Sequence, residues 1–166
     1  MKRIIAIFSA IILSNISLSQ KWGIETSMYI QPVKKSIDNS FEGASLQLSY
    51  KKPMNEKIEL RAGIEFQSNS WSNHVLLSLG GSYTFFNKNN WSSELQINVG
   101  NGIALFSPRF LYSFNSKGQL FWNYQTRKEN LWGIGFGVHF FSTPPYKRYS
   151  NVFNTFNIPI SFKYYF

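Results

Sequence analysis

The sequence predicts an all-β chain: a single transmembrane, antiparallel, up-and-down β-barrel of eight strands, with ten strands as the alternative. Three observations predict it. Apolar and polar residues alternate with period two over most of the chain, giving each strand one apolar and one polar face. Aromatic residues are abundant (16 Phe, 9 Tyr, 5 Trp), yet mean hydropathy is -0.20. Aromatic girdles around a polar interior produce that combination, whereas a globular core does not. Finally, the chain ends on a strand whose even positions, Phe156, Ile158, Ile160, Phe162, Tyr164 and Phe166, are all apolar or aromatic. In water such a face invites aggregation; against lipid it is expected.

The N-terminal segment reads as an export signal. Lys2 and Arg3 precede an apolar run over 4–13 and a serine-bearing stretch over 14–19, with small residues at Ser17 and Ser19. The run is about half the roughly 20 residues that a spanning helix needs. Residues 1–19 are therefore expected to be a Sec-type signal peptide removed before Gln20, and 20–166 one barrel domain. Cysteine is absent, which excludes disulfides, thiolate metal sites, a thiol nucleophile and a lipidated N-terminal cysteine.

Nine segments alternate: 21–31, 41–51, 56–67, 74–86, 91–100, 103–114, 119–126, 131–141 and 154–166. The clearest sets Ile58, Leu60, Ala62, Ile64 and Phe66 against Lys57, Glu59, Arg61, Gly63, Glu65 and Gln67. Five charged or amide groups facing inward suit a polar lumen and no soluble sandwich. In 131–141, Gly133, Gly135 and Gly137 share one face with His139, as a tightly curved narrow barrel requires. Bacterial single-chain barrels carry an even number of strands. Eight results if 100–118, with Gly100-Asn101-Gly102 and Pro108, is one long excursion between two strands; ten results if 146–151 adds a strand. Connections carry turn chemistry: Lys52-Pro53-Met54-Asn55, Asn87-Lys88-Asn89-Asn90, Asn115-Ser116-Lys117-Gly118 and Arg127-Lys128-Glu129-Asn130. The longer connections, 32–40 and 142–154, are expected outside the cell.

These features resemble the small outer-membrane barrels of Gram-negative bacteria, the class of OmpX-like and OmpA-like proteins. The resemblance rests on the export signal, the repeated amphipathic strands and the aromatic end at Tyr164 and Phe166. It covers 20–166. It implies that Tyr164 and Phe166 form the signal read by the barrel-assembly machinery, and that the chain is porin-like in build. Residues 156–164, with Ile158-Pro159-Ile160-Ser161-Phe162-Lys163-Tyr164, are also similar to a strand of PorT-like barrels of Bacteroidota. In that family the strand often precedes others, whereas here it closes the chain, so no PorT-like function is carried over.

Net charge is +9, and loss of Lys2 and Arg3 lowers it by two. Without a recognition motif, and in an exported chain, this points away from nucleic acid and toward lipopolysaccharide phosphates and outer-membrane lipids. Paired basic residues at Lys34-Lys35, Lys51-Lys52, Arg127-Lys128 and Lys147-Arg148 fall in expected connections, where solvated turns account for them. The inward charges Glu59, Arg61, Glu65, Glu94 and Lys163, with Glu25 and Lys57 as additions, are expected to pair in a narrow lumen, because unpaired buried charge is costly. Ion pairing would plug the barrel; a continuous water path through it would instead make an ion-selective pore.

Catalysis by a Ser–His–carboxylate set on lipid A would need a cluster near a rim. His74 lies beside Ser72 and Asn73, His139 lies three residues before Ser142, and the one Asp, Asp38, is in a loop. Two His, no Cys and dispersed acids offer no metal-ligand spacing, and no cofactor is expected. The expected function is therefore a non-enzymatic, plugged outer-membrane barrel with a structural or surface-interaction role. Lys34, Lys35, Trp71, Tyr146, Lys147, Arg148 and Tyr149, in the loops 32–40, 69–73 and 142–153, are the candidate contacts for an extracellular or envelope protein partner. A narrow ion or small-solute pore is the alternative, and a lipid A-modifying enzyme the second alternative.

Overall fold

The computed structural model describes residues 21–32, 41–69, 72–106, 109–143 and 153–166. They form eight strands: β1 (Lys21–Ile30), β2 (Phe41–Pro53), β3 (Ile58–Asn69), β4 (Asn73–Lys88), β5 (Trp91–Phe106), β6 (Arg109–Gln125), β7 (Leu131–Thr143) and β8 (Phe153–Tyr165). Each pairs antiparallel with its sequence neighbour, and β1 pairs with β8 from Gly23↔Tyr165 to Ile30↔Ile158. Closure leaves no sheet edge, so every strand has a hydrogen-bonding partner on both sides, the condition for crossing a bilayer with strands.

The period-two pattern decides which way each side chain points. Outward residues include Leu77 and Leu79, each 67% exposed, and Val138 at 66%. The buried set is mainly polar: Glu25, Gln47, Arg61, Glu65, Glu94, Gln96, Asn115, Lys117 and Lys163 are among it. Apolar outside and polar inside is the inverse of a water-soluble domain, so the fold is a transmembrane barrel. Outward Trp and Tyr cluster at the end carrying Lys21 and Phe166, in contact across strands: Trp22 with Tyr50 (ring centroids 5.3 Å), Trp91 with Tyr124 (5.0 Å) and Trp132 with Tyr164 (4.2 Å). Toward the other end Phe140 packs on Phe156 at 5.0 Å. Such belts sit where hydrocarbon meets headgroups. A bulge between Thr84 and Phe86 against β5 turns two successive residues, Phe85 and Phe86, outward.

Turns at the end carrying Lys21 are tight and locally specified. The Asn55 side-chain oxygen accepts from the backbone N–H of Lys57 (2.9 Å) and of Ile58 (2.8 Å), fixing the β2–β3 turn. Asn89 (φ 56°) closes the β4–β5 hairpin in the left-handed region that asparagine tolerates.

The eight-strand count holds, but not through the excursion expected over 100–118. β5 runs to Phe106 and β6 starts at Arg109, with registered partners from Phe106↔Arg109 to Trp91↔Tyr124. The expected turn at Asn115–Gly118 is therefore mid-strand, and the expected segments 103–114 and 119–126 are not separate strands. Local turn chemistry there loses to a ladder in which β5 and β7 both pair with β6. Lys51, expected in a connection, is likewise in β2 and faces inward. The signal segment 1–19, residue Gln20 and the segment 146–151 lie outside the described residues.

Candidate functional site

The lumen is the candidate site. Gly133 and Gly135 of β7 recess its wall. A Cβ at Gly135 would meet the Phe121 ring at 2.6 Å, and one at Gly133 would meet Lys163 Cε at 2.6 Å. Into this space Lys163 reaches, its ammonium 3.9 Å from the Phe121 centroid. Likewise a Cβ at Gly23 would collide with the Tyr165 ring, which turns inward near the chain-terminal end of the barrel.

The charged groups form one connected set. Lys51 Nζ donates to both oxygens of Glu59, at 2.9 and 3.1 Å. Lys51 and Arg61 flank the Tyr165 ring, 4.8 and 4.9 Å from its centroid, and the Tyr165 hydroxyl bonds Ser49 at 2.9 Å. Arg61 lies 3.8 Å from Glu25 and 3.8 Å from Glu94. Lys163 donates to Glu94 in a short contact, and Asn123 donates to the other Glu94 oxygen at 3.2 Å. Higher up, Lys117 donates to Glu65 at 2.8 Å and stands 3.9 Å from Glu25. Glu65 also accepts from Tyr29 (3.0 Å) and Asn115 (3.1 Å), and Glu25 accepts from Gln96 at 2.9 Å. Within this set the cations Lys51, Arg61, Lys117 and Lys163 equal in number the carboxylates Glu25, Glu59, Glu65 and Glu94. Burial is tolerable because each charge has an opposite partner, and Glu25, Glu65 and Glu94 also accept from neutral amides.

Above the charges the lumen mixes aromatic and apolar side chains with histidine, hydroxyl and amide groups. Tyr29 stacks on His139 (4.4 Å, 25°), His74 meets the Phe141 ring edge-on at 4.5 Å, and Leu76 and Ala104 are fully buried alongside. Ser72 Oγ and His74 Nε2 are 2.7 Å apart, with the Asn69 amide as their further partner. His74 Nδ1 has no acceptor, so among the described residues no carboxylate orients that ring as a hydrolytic triad would require. No group of three metal-ligating side chains occurs among the described residues.

Glu59, Arg61, Glu65, Glu94 and Lys163, singled out by parity alone, all point into the lumen and join the set, as does Glu25. Lys57 does not; it is exposed in the β2–β3 turn. Lys51 and Lys117 were missed because each sits in a stretch rich in turn-forming residues. Parity could have found Lys117, since it shares the inward face with Gln119 and Asn123. Tyr164 is outward and half-buried and Phe166 exposed, flanking the inward Tyr165. Lys34, Lys35, Trp71, Tyr146, Lys147, Arg148 and Tyr149 lie outside the described residues, as does Asp38.

No protein-family model and no curated protein matches the chain by sequence. Among solved structures it is similar to the crystal structure of Neisserial surface protein A (NspA), with a TM-score of 0.62 over 88% of this chain and 95% of that one. The shared fold is a closed, antiparallel, up-and-down β-barrel. Sequence identity to NspA is 12%, so the likeness is one of fold.

Proposed function

We propose that this chain is a non-enzymatic outer-membrane barrel whose lumen is bolted shut by ion pairs, acting structurally or through its extracellular loops. The balanced set of cations and carboxylates, capped by the Tyr29–His139 and His74–Phe141 contacts, carries the reading. An eight-stranded barrel has an interior just wide enough for side chains to fill, and these side chains fill it. In this reading the chain is exported by the Sec route and its signal peptide is removed before Gln20. The barrel-assembly machinery inserts it, with Tyr164 and Phe166 in the recognised strand. It rests among outer-membrane lipids and lipopolysaccharide, and offers Lys34, Lys35, Trp71, Tyr146, Lys147, Arg148 and Tyr149 to an extracellular or envelope protein.

Single-channel recording of the refolded barrel in planar bilayers tests the bolt. The expected result is a folded, heat-modifiable barrel with no conductance steps. Stable steps altered by Glu59→Gln would refute it and favour a second reading, a narrow ion pore. The observation on that side is the looseness of Arg61. Both its carboxylate contacts are 3.8 Å, too long for hydrogen bonds, and its Nε and Nη2 have no acceptor.

A further inference from the structure

At the barrel end carrying Lys21, the turns β2–β3, β4–β5 and β6–β7 are basic. Outside the lumen they present Lys52, Lys57, Lys88, Arg127 and Lys128, all exposed except the half-buried Lys52. Among the described residues, the carboxylates outside the lumen at this end are Glu56 and Glu129, and Glu129 already faces Lys21 at 3.9 Å. None of the five cations stands in an ion pair with a described carboxylate. The lumen set is matched cation for carboxylate, so the net positive charge of this end belongs to its outer rim.

The ladder sets these cations against the aromatic belt. Lys52 pairs with Leu60 and shares its outward face, two residues past Tyr50, whose ring touches Trp22. Lys88 pairs directly with Trp91, and Trp91 in turn touches Tyr124. Registered partners share a face of the sheet, so Lys88 lies beside the exposed Trp91 ring. Arg127 and Lys128 sit in the turn that joins Tyr124, near the end of β6, to Trp132, near the start of β7. Solvated turns require no such arrangement. A belt of Trp and Tyr marks where hydrocarbon meets headgroups, so cations beside it or one step beyond stand at the depth of lipid phosphates. A soluble acidic partner would have to displace those headgroups to reach them. A zwitterionic headgroup brings an ammonium with its phosphate, and unmatched cations repel it; a headgroup whose phosphate is its only charge suffers no such opposition. We propose that this rim selects net-anionic phospholipids, of the phosphatidylglycerol type, over zwitterionic ones. The selectivity rests on the reading of the chain as a membrane barrel.

The test uses the full chain folded in phosphatidylcholine vesicles, carrying Trp71→Phe so that the remaining tryptophans, Trp22, Trp91, Trp122 and Trp132, all report from this end. Dibrominated phosphatidylglycerol, and separately phosphatidylcholine brominated in the same way, quenches the tryptophans it touches. The ratio of the two quenching constants is the relative affinity. The expected ratio is about fivefold at low salt, the worth of one cation near a charged headgroup. It should fall toward unity as salt rises from about 0.01 M to about 1 M and the Debye length shrinks from about 30 Å to about 3 Å. The variant Lys88→Gln/Arg127→Gln/Lys128→Gln should keep its heat-modifiable migration and bring the low-salt ratio below about twofold. Should it misfold, Lys88→Gln alone, beside Trp91, should lower the same ratio. Equal quenching by the two lipids, a ratio that salt leaves unchanged, or a ratio that the variant leaves unchanged overturns the selectivity and leaves the barrel in the membrane. No quenching by either lipid overturns the membrane placement of the belt, and the selectivity with it.

Discussion

Replacing Lys117 by Met strips Glu65 of its 2.8 Å ion pair, leaving that fully buried carboxylate with the hydroxyl of Tyr29 and the amide of Asn115. Glu25 loses a contact at 3.9 Å but keeps Arg61 and Gln96. Breaking one partner of a buried pair costs about 3–5 kcal/mol, because the remaining charge stays desolvated without compensation. Replacing both partners by neutral groups of similar shape costs far less. Glu65→Gln in the Lys117→Met background should therefore recover most of the loss, ending within about 1–2 kcal/mol of the native chain. Urea unfolding of the micelle-bound barrel, followed by tryptophan fluorescence and gel migration, gives the four corners of the cycle. The reasoning fails if Lys117→Met alone costs less than about 1 kcal/mol, the value expected of a lysine in a solvated turn. It fails equally if the two substitutions prove additive. The same number thus decides whether Asn115–Gly118 is strand or turn.

Two further outcomes follow from the wall. A Cβ at Gly137 would meet the Gln119 Cα at 2.7 Å, whereas one at Gly118 finds nothing nearer than Val138 Cγ2 at 3.8 Å. Gly137→Ala should therefore part β6 from β7 and cost about 2 kcal/mol or more, while Gly118→Ala should stay within about 0.5 kcal/mol, by the same urea assay. Leu79→Arg places a cation on the lipid face, beside Ala62 and Val99. It should lower stability in lipid vesicles by about 2–4 kcal/mol, and Met54→Arg, in the exposed β2–β3 turn, by under about 0.5 kcal/mol. Equal effects at the two positions would mean that the outward wall is not in hydrocarbon.

Much of the barrel was legible because a strand's two faces are local information. Ile58 to Gln67 alternates without interruption, so parity alone separates the outward Ile64 and Phe66 from the inward Arg61 and Glu65. Turn chemistry was equally local at Asn55 and Asn89, where a side-chain oxygen and a left-handed φ reverse the chain. The same local rule misled at Asn115-Ser116-Lys117-Gly118, where four residues of turn-prone type sit in the middle of β6.

What the sequence by itself determined was therefore the class of fold, the face to which most side chains belong, and the positions of the tight turns after β2, β4 and β6. Those depend on interactions between residues a few positions apart. Only the closed structure decided that Lys117 meets Glu65, that Arg61 stands between Glu25 and Glu94, and that Lys51 belongs inside while Lys57 does not. These pairs cross the lumen between β6 and β3, β3 and β1, or β3 and β5. No periodicity along one strand encodes them; they exist because closing eight strands brings opposite walls within reach of a side chain and makes an unmatched charge there too costly to keep.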